Sequence, residues 1–170
     1  MDRKSLLKTL NLSRFTAFDF ETTGLDPYND RIIEIAAIRF EDGEITDRYV
    51  ELINPERPIS RMITEITGIS NKMVQNAPTE ETIIDDFLYF LGNDPLVAHN
   101  IHFDEQFLSV MCDRLSRNKG NNANYDTLQL SRSLFFDQPV FNLGALSEYF
   151  GLSAKGAHRA EKDTENTGLI

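Results

Sequence analysis

The run Phe15-Thr16-Ala17-Phe18-Asp19-Phe20 constrains this chain more than any other stretch. It is β-favouring and nearly continuous in apolar character, whereas a strand with one face in water alternates. A strand of this kind must be covered on both sides, which selects a layered architecture. The end of the run carries a charge pattern that such a strand tolerates poorly. Asp19 and Glu21, two residues apart, project to one face, and Phe18 and Phe20 to the other. Two neighbouring carboxylates in a covered strand repel each other and lose hydration, which is costly without a compensating cation. The alternative is that the strand ends at Asp19 and leaves both acids in water. Thr22-Thr23-Gly24-Leu25 then place hydroxyls, accessible backbone and an apolar side chain just beyond the pair.

The remaining pattern supplies the layers. Residues 31–40 and 44–53 read as two further strands, joined at Asp42-Gly43, a two-residue hairpin turn. Thr79 is placed to cap a helix with Glu80 and Glu81 in its first turn and an apolar stripe of Ile83, Ile84, Phe87, Leu88 and Leu91. Leu96-Val97-Ala98 is a short buried strand. Asn100 is placed to cap the next helix, whose apolar positions are Phe103, Phe107, Leu108, Met111 and Leu115. Residues 118–122 form an exposed loop, 125–127 a brief strand feeding a helix, 142–150 another helix, and 151–157 a loop before the last one. Residues 1–12 carry Leu6, Leu7, Leu10 and Leu12 on a short amphipathic helix at the domain edge. Strands followed by alternating helices and strands predict an α/β layered domain with a mixed sheet.

With 170 residues, 41% of them apolar, the chain suits one globular domain. No leader peptide or membrane span is expected from its charged start, Met1-Asp2-Arg3-Lys4-Ser5. Cys112 is the only cysteine, so a cytosolic setting is expected, and its place four residues after Leu108 suggests a buried structural thiol. A net charge of −10, from 17 basic and 27 acidic residues, argues against a protein that grips nucleic acid along its backbone. It leaves room for one that touches only a strand end, with a tethering partner to compensate for a weak grip. Two bound divalent cations would bring the charge to about −6.

Two further acidic positions stand out. Asp104 shares a helix face with Leu108, Met111 and Leu115, and a carboxylate at the head of a core-facing stripe calls for something positive. The alternative is a first-turn acid favoured by the helix dipole. In His158-Arg159-Ala160-Glu161-Lys162-Asp163, residues five apart on one helix diverge by about 140°. His158 can meet Asp163 only if it stands on the loop before the helix, which the Gly156-Ala157 approach permits. The alternative is two unrelated polar residues at a helix start. Together the four acids and one histidine suit phosphodiester hydrolysis. Two hard cations need oxygen ligands and a shared carboxylate, and a histidine suits removal of a proton from the attacking water.

Three motifs in this order and spacing resemble the DEDD exonuclease superfamily, in its histidine-bearing branch. They are Asp19-Phe20-Glu21-Thr22-Thr23-Gly24-Leu25, His99-Asn100-Ile101-His102-Phe103-Asp104 and His158-Arg159-Ala160-Glu161-Lys162-Asp163. Arg31-Ile32-Ile33-Glu34-Ile35-Ala36, Ile66-Thr67-Gly68-Ile69, Tyr125-Asp126-Thr127 and Leu143-Gly144-Ala145-Leu146 also fit. The likeness runs from about residue 14 to the end and is nearest to proofreading exonucleases of bacterial DNA polymerase III, such as the epsilon subunit. It implies a ribonuclease H-like three-layer fold, with a mixed five-stranded sheet flanked by helices, and two magnesium or manganese ions. By the same resemblance, Asp19 bridges both metals, Glu21 and Asp163 complete one site, Asp104 serves the other through water, and His158 deprotonates the attacking water. Thr22 and Leu25 hold the terminal nucleotide, and Ile66 and Asn100 line its pocket.

The implied activity is 3′–5′ removal of nucleoside 5′-monophosphates from a single strand, DNA before RNA, beside a DNA polymerase or helicase and away from membranes. The rival readings are an RNA-trimming 3′ exonuclease and a non-catalytic polymerase-associated module. Retention of all five catalytic positions speaks against the second rival. His99 and His102 lack a further ligand cluster for zinc and belong to the frame around Asp104. Ile170 follows Asp163 by only seven residues, leaving a shorter last helix than the family usually has. One exonuclease domain over 1–170, with residues 1–13 as an extension and excised from a longer chain, is the expected organisation.

Overall fold

The computed structural model describes residues 3–9, 11–135, 139–153 and 158–170. Five strands, β1 (Arg14–Thr22), β2 (Ile32–Glu41), β3 (Glu44–Leu52), β4 (Leu96–Ala98) and β5 (Asn124–Asp126), form one sheet in the order β3-β2-β1-β4-β5. β1 is antiparallel to β2 and parallel to β4. The β2–β3 pair is antiparallel and the β4–β5 pair parallel, so the sheet is mixed, as expected. Asp42 and Gly43 both have positive φ, 52° and 88°, the backbone a tight hairpin needs.

Eight helices surround this sheet among the described residues: α1 (Arg3–Thr9), α2 (Arg61–Thr67), α3 (Asn71–Val74), α4 (Glu80–Leu91), α5 (Ile101–Arg114), α6 (Thr127–Leu134), α7 (Leu143–Tyr149) and α8 (Ala160–Leu169). Phe18 and Phe20 turn to one side of β1, into a core with Ile83, Ile84 and Phe87 of α4 and Phe107, Leu108 and Met111 of α5. Phe15 and Ala17 turn to the other side, against Ile38, Phe40, Val97, Leu7 of α1, Leu12 and Leu169 of α8. Strand β1 is therefore covered on both faces, and Asp19 and Glu21 share the α8 side with Phe15 and Ala17. Helix α8 lies so close to β2 that a Cβ on Gly168 would run into the Phe40 ring. Leu10 and the side chain of Leu6, expected on the first amphipathic helix, lie outside the described residues, as do Gly156 and Ala157.

β1 continues to Thr22, so the pair of acids lies inside the strand, as the two-residue spacing implied, and the alternative of a strand ending at Asp19 falls. Several other local expectations need correction. Thr79 occupies the N-cap of α4 but bonds no backbone N–H; its hydroxyl pairs with that of Thr82 at 3.1 Å. Asn100 occupies the N-cap of α5 in a left-handed conformation, φ 65°, and its side chain makes no capping hydrogen bond. β5 ends one residue earlier than expected, because the Asp126 side chain accepts the Leu128 N–H at 2.9 Å and starts α6 at Thr127. Helices α2 and α3 were not expected. Ser60 caps α2 by accepting the Ile63 N–H at 3.3 Å, and Gly68 closes it with φ 74°.

Cys112 is buried, and that burial pushes its thiol up to about 11, so it is an inert core group as expected. No helix among the described residues is long and apolar enough to cross a membrane.

Candidate active site

A cleft of about 430 Å³ opens where the end of β1 meets the first turns of α5 and α7 and the start of α8. Asp19, Glu21, Asp104, Asp163 and His158 all line it. Strand β1 supplies Asp19 and Glu21 through its two-residue period, and α8, packed across β1 and β2, brings Asp163 over the same face. Oxygens of these three carboxylates lie within 4.8 Å of one another, and each side chain is partly buried. Asp104 stands outside this trio. It is buried, and its Oδ1 accepts the Phe20 N–H at 3.0 Å, which ties α5 to β1 between the two strand acids.

Every one of these acids is held above the ordinary carboxylate range. Burial is the main cause for Asp19, reinforced by Asp104, Glu21, Asp163 and Glu34. Burial, with Asp163 and Glu34 beside it, pushes Glu21 up to about 7, while Arg159 pulls the other way. Burial pushes Asp104 up to about 8 against the opposing Phe20 N–H. Asp163 is raised by burial, and the His158 N–H and the His158 ring charge limit the shift. Such crowding raises the cost of ionising each group, and a bound cation removes that cost. Three convergent hard oxygens suit a divalent cation such as magnesium, manganese or calcium.

His158 lies two residues before α8, with φ 63°, outside the helix. Its backbone N–H donates to Asp163 Oδ2 at 3.0 Å, so the histidine and the acid five residues later reach one cleft. Its side chain is exposed.

The residues expected around a terminal nucleotide divide. Asn100 lines the cleft; its backbone N–H donates to Asp126 Oδ1 at 3.0 Å. Thr22 is buried, and its hydroxyl donates to the Gly24 carbonyl at 2.5 Å, shaping the turn after β1. Leu25 and Ile66 are 84% and 51% exposed, and neither lines the cleft.

Other cleft residues were not anticipated as site residues. His99, placed in the frame by the sequence, also lines the cleft; its Nδ1 meets the Thr127 hydroxyl at 3.0 Å, and burial holds its pKa down. His102 is exposed and does not line it. Asn142 caps α7, Ser147 lies within it and Asn166 within α8, and Asn166 Nδ2 bonds Ser147 Oγ at 3.0 Å and the Ser153 carbonyl at 3.1 Å. Nothing in their spacing marks them. Glu34 of β2 is also close to the acids, 1% exposed, and the available signal was a lone acid in the apolar run Ile32-Ile33-Glu34-Ile35-Ala36.

A sheet of two antiparallel and two parallel strand pairs, carrying clustered carboxylates at the end of its central strand, defines an α/β domain of the kind that suits metal-assisted hydrolysis. The exonuclease family model matches residues 16–170, and the chain belongs to that family. It is 40% identical over 164 residues to the PolC-type DNA polymerase III of Bacillus subtilis, covering 96% of this chain and 11% of that protein. It is also 40% identical over 162 residues to the 3′-5′ exonuclease DinG of the same organism, covering 95% of this chain and 17% of that protein. The chain therefore spans only a small part of these relatives. Among solved structures, exonuclease I matches with a TM-score of 0.82 at 22% identity, over 92% of this chain and 39% of that one. Escherichia coli exonuclease I in complex with a dA16 oligonucleotide matches with a TM-score of 0.80, also at 22% identity, with the same two shares. The fold is the ribonuclease H-like one that the motifs implied.

Proposed function

We propose that the chain is a metal-dependent exonuclease unit that removes nucleoside 5′-monophosphates one at a time from the 3′ end of single-stranded DNA. The observation that carries this reading is the convergence of Asp19, Glu21 and Asp163, raised in pKa by burial and mutual repulsion, with His158 attached to Asp163. Asp19, Glu21 and Asp163, with Asp104 through water, would hold two magnesium or manganese ions, which supply Lewis-acid stabilisation of the attacking and leaving oxygens.

The chain's own groups do the rest. His158, exposed and free of the helix, takes a proton from the attacking water. Asp104 fixes α5 against β1 and adds negative charge behind Asp19. Asn100 bounds the space for the terminal nucleotide and Thr22 shapes the adjoining turn, while Leu25 and Ile66, exposed and outside the cleft lining, offer apolar surface for a strand that extends beyond the cleft. Apolar contact of this kind accepts any base, in keeping with stepwise digestion of mixed sequence.

The relatives, a DNA polymerase III and a 3′-5′ exonuclease, support DNA as substrate and a polymerase as associated activity, and the solved exonuclease I complex carries a dA16 oligonucleotide. With a net charge of −10 the isolated unit grips a strand weakly, and a covalently or noncovalently attached polymerase or helicase raises the local concentration of the 3′ end. A cytosolic setting suits that role.

The test uses matched 5′-labelled single-stranded DNA and RNA with magnesium, manganese or EDTA. A descending ladder on DNA that depends on the metal is expected. A faster ladder on RNA would reassign the substrate, and no ladder on either strand would favour the non-catalytic module.

A further inference from the structure

Glu34 is the least exposed acid near the cleft, and it does not belong to the carboxylate trio. It pairs directly across from Glu21 in the β1–β2 register. Residues opposed in this way have Cβ atoms about 4.5–5.5 Å apart on the same face. Its carboxylate is fully engaged. Arg159 Nε lies 3.1 Å from each oxygen, Arg159 Nη2 lies 2.5 Å from Oε1, and the Ala160 N–H donates to Oε2 at 2.9 Å. Glu34 thereby supplies from β2 the cap that α8 lacks, since Arg159 at its N-cap makes no side-chain cap.

The pairing matters because Arg159 is a long cation, part-exposed, one side chain away from a carboxylate that the cation site needs. Its charge already acts on Glu21. Among the described residues Glu34 is the hydrogen-bond partner of the Arg159 side chain, and Glu161 acts on it only through charge. A guanidinium released from Glu34 would find in Glu21 the nearest crowded carboxylate, and a bidentate pair there would occupy the same oxygens as a metal.

We propose that Glu34 is a positioning residue that keeps Arg159 off Glu21, so that the Glu21 carboxylate stays open to a divalent cation. This rests on the assignment of Glu21 to a metal site. Glu34 contributes no ligand; it acts by holding the competing cation, and by pinning the turn of α8 that precedes Asp163.

Manganese binding, read from the loss of the free-ion paramagnetic resonance signal, tests this on the whole chain without any need for nuclease turnover. Glu34→Gln should weaken binding by about tenfold or more, the effect of one close opposite charge competing for a carboxylate. Adding Arg159→Gln to Glu34→Gln should return the affinity to within about threefold of the parent. That rescue separates the proposal from a capping role alone, which loss of the arginine cannot restore. Unchanged affinity in Glu34→Gln, or a double variant as weak as the single one, overturns it. If Glu34→Gln does not fold by circular dichroism, Arg159→Gln alone decides. Affinity equal to or tighter than the parent is expected, and a tenfold loss with the fold intact contradicts the proposal. Manganese binding that follows these expectations in a protein without nuclease activity would keep the inference and sink the proposed function; no manganese binding by the parent chain would sink both.

Discussion

Asp19, Glu21 and Asp163 sit partly buried on β1 and α8, each held by elements that pack through the core, whereas Leu25 and Ile66 stand 84% and 51% exposed on a turn and a short helix. The inner group carries concentrated charge at a cost that the fold must absorb, and all its acids are shifted upward. The outer group carries apolar surface that costs nothing special, because single exposed apolar side chains are common. On the proposed function a cation relieves the inner group, so loss of one of its acids should abolish the reaction. The outer group only adds contact area, so its loss should be graded.

The largest effect is expected at the centre. Asp19→Ala should reduce turnover to background, a larger loss than that of a positioned base, because it removes the carboxylate shared by the proposed cation sites. In EDTA its melting temperature should equal or exceed the parent's, because a crowded carboxylate has gone. Near-normal activity in magnesium would remove Asp19 from the site. Next comes His158→Ala, which should slow turnover by roughly 10²–10⁴-fold while manganese binding persists. Loss of metal affinity instead would recast His158 as a ligand or a structural group.

How far the sequence carried these assignments depends on the distance over which each residue acts. The parity of Asp19 and Glu21 was readable because a strand has a period of two, and the Asp42-Gly43 turn because its backbone demand is local. His158 could be placed off the helix because five residues cannot share a helical face. Helix α2, which carries Ile66, had a readable Ser60 start and Gly68 stop, but its seven residues are too few to show a period. Glu34 was legible only as a lone acid in an apolar run; its partner Arg159 is 125 positions away, so its place beside the site was not. Asn100 was correctly placed at the N-cap of α5, but its left-handed backbone, which composition does not reveal, comes without a side-chain capping bond. The convergence of Asn142, Ser147 and Asn166 likewise comes from how α7 meets α8.

The charge cost of the inner group should appear in stability. Glu21 has an ordinary pKa of 4.5 and is pushed up to about 7 in the fold. Between those values the folded chain binds more protons than the unfolded one, so stability in EDTA should fall as pH rises from about 4.5 through about 7. A melting temperature a few degrees lower at pH 8 than at pH 5 is expected, with manganese restoring more at pH 8. A melting temperature that rises over this range would show that the acids are not strained.

The smallest effects belong to the outer group. Leu25→Ala and Ile66→Ala should each raise KM for a labelled single strand by less than about tenfold and leave kcat nearly unchanged, as expected for uniform apolar binding. A collapse of kcat in either would dissolve the contrast between the two regions.

The central claim is that the inner carboxylates serve the stepwise hydrolysis of a 3′ end. Mass spectrometry of the products from a single-stranded DNA of mixed sequence, in magnesium, tests it most directly. The expected products are nucleoside 5′-monophosphates that accumulate from the 3′ end, absent with EDTA and absent with Asp19→Ala. Oligonucleotide fragments, nucleoside 3′-monophosphates, or monophosphates that persist in EDTA would contradict it.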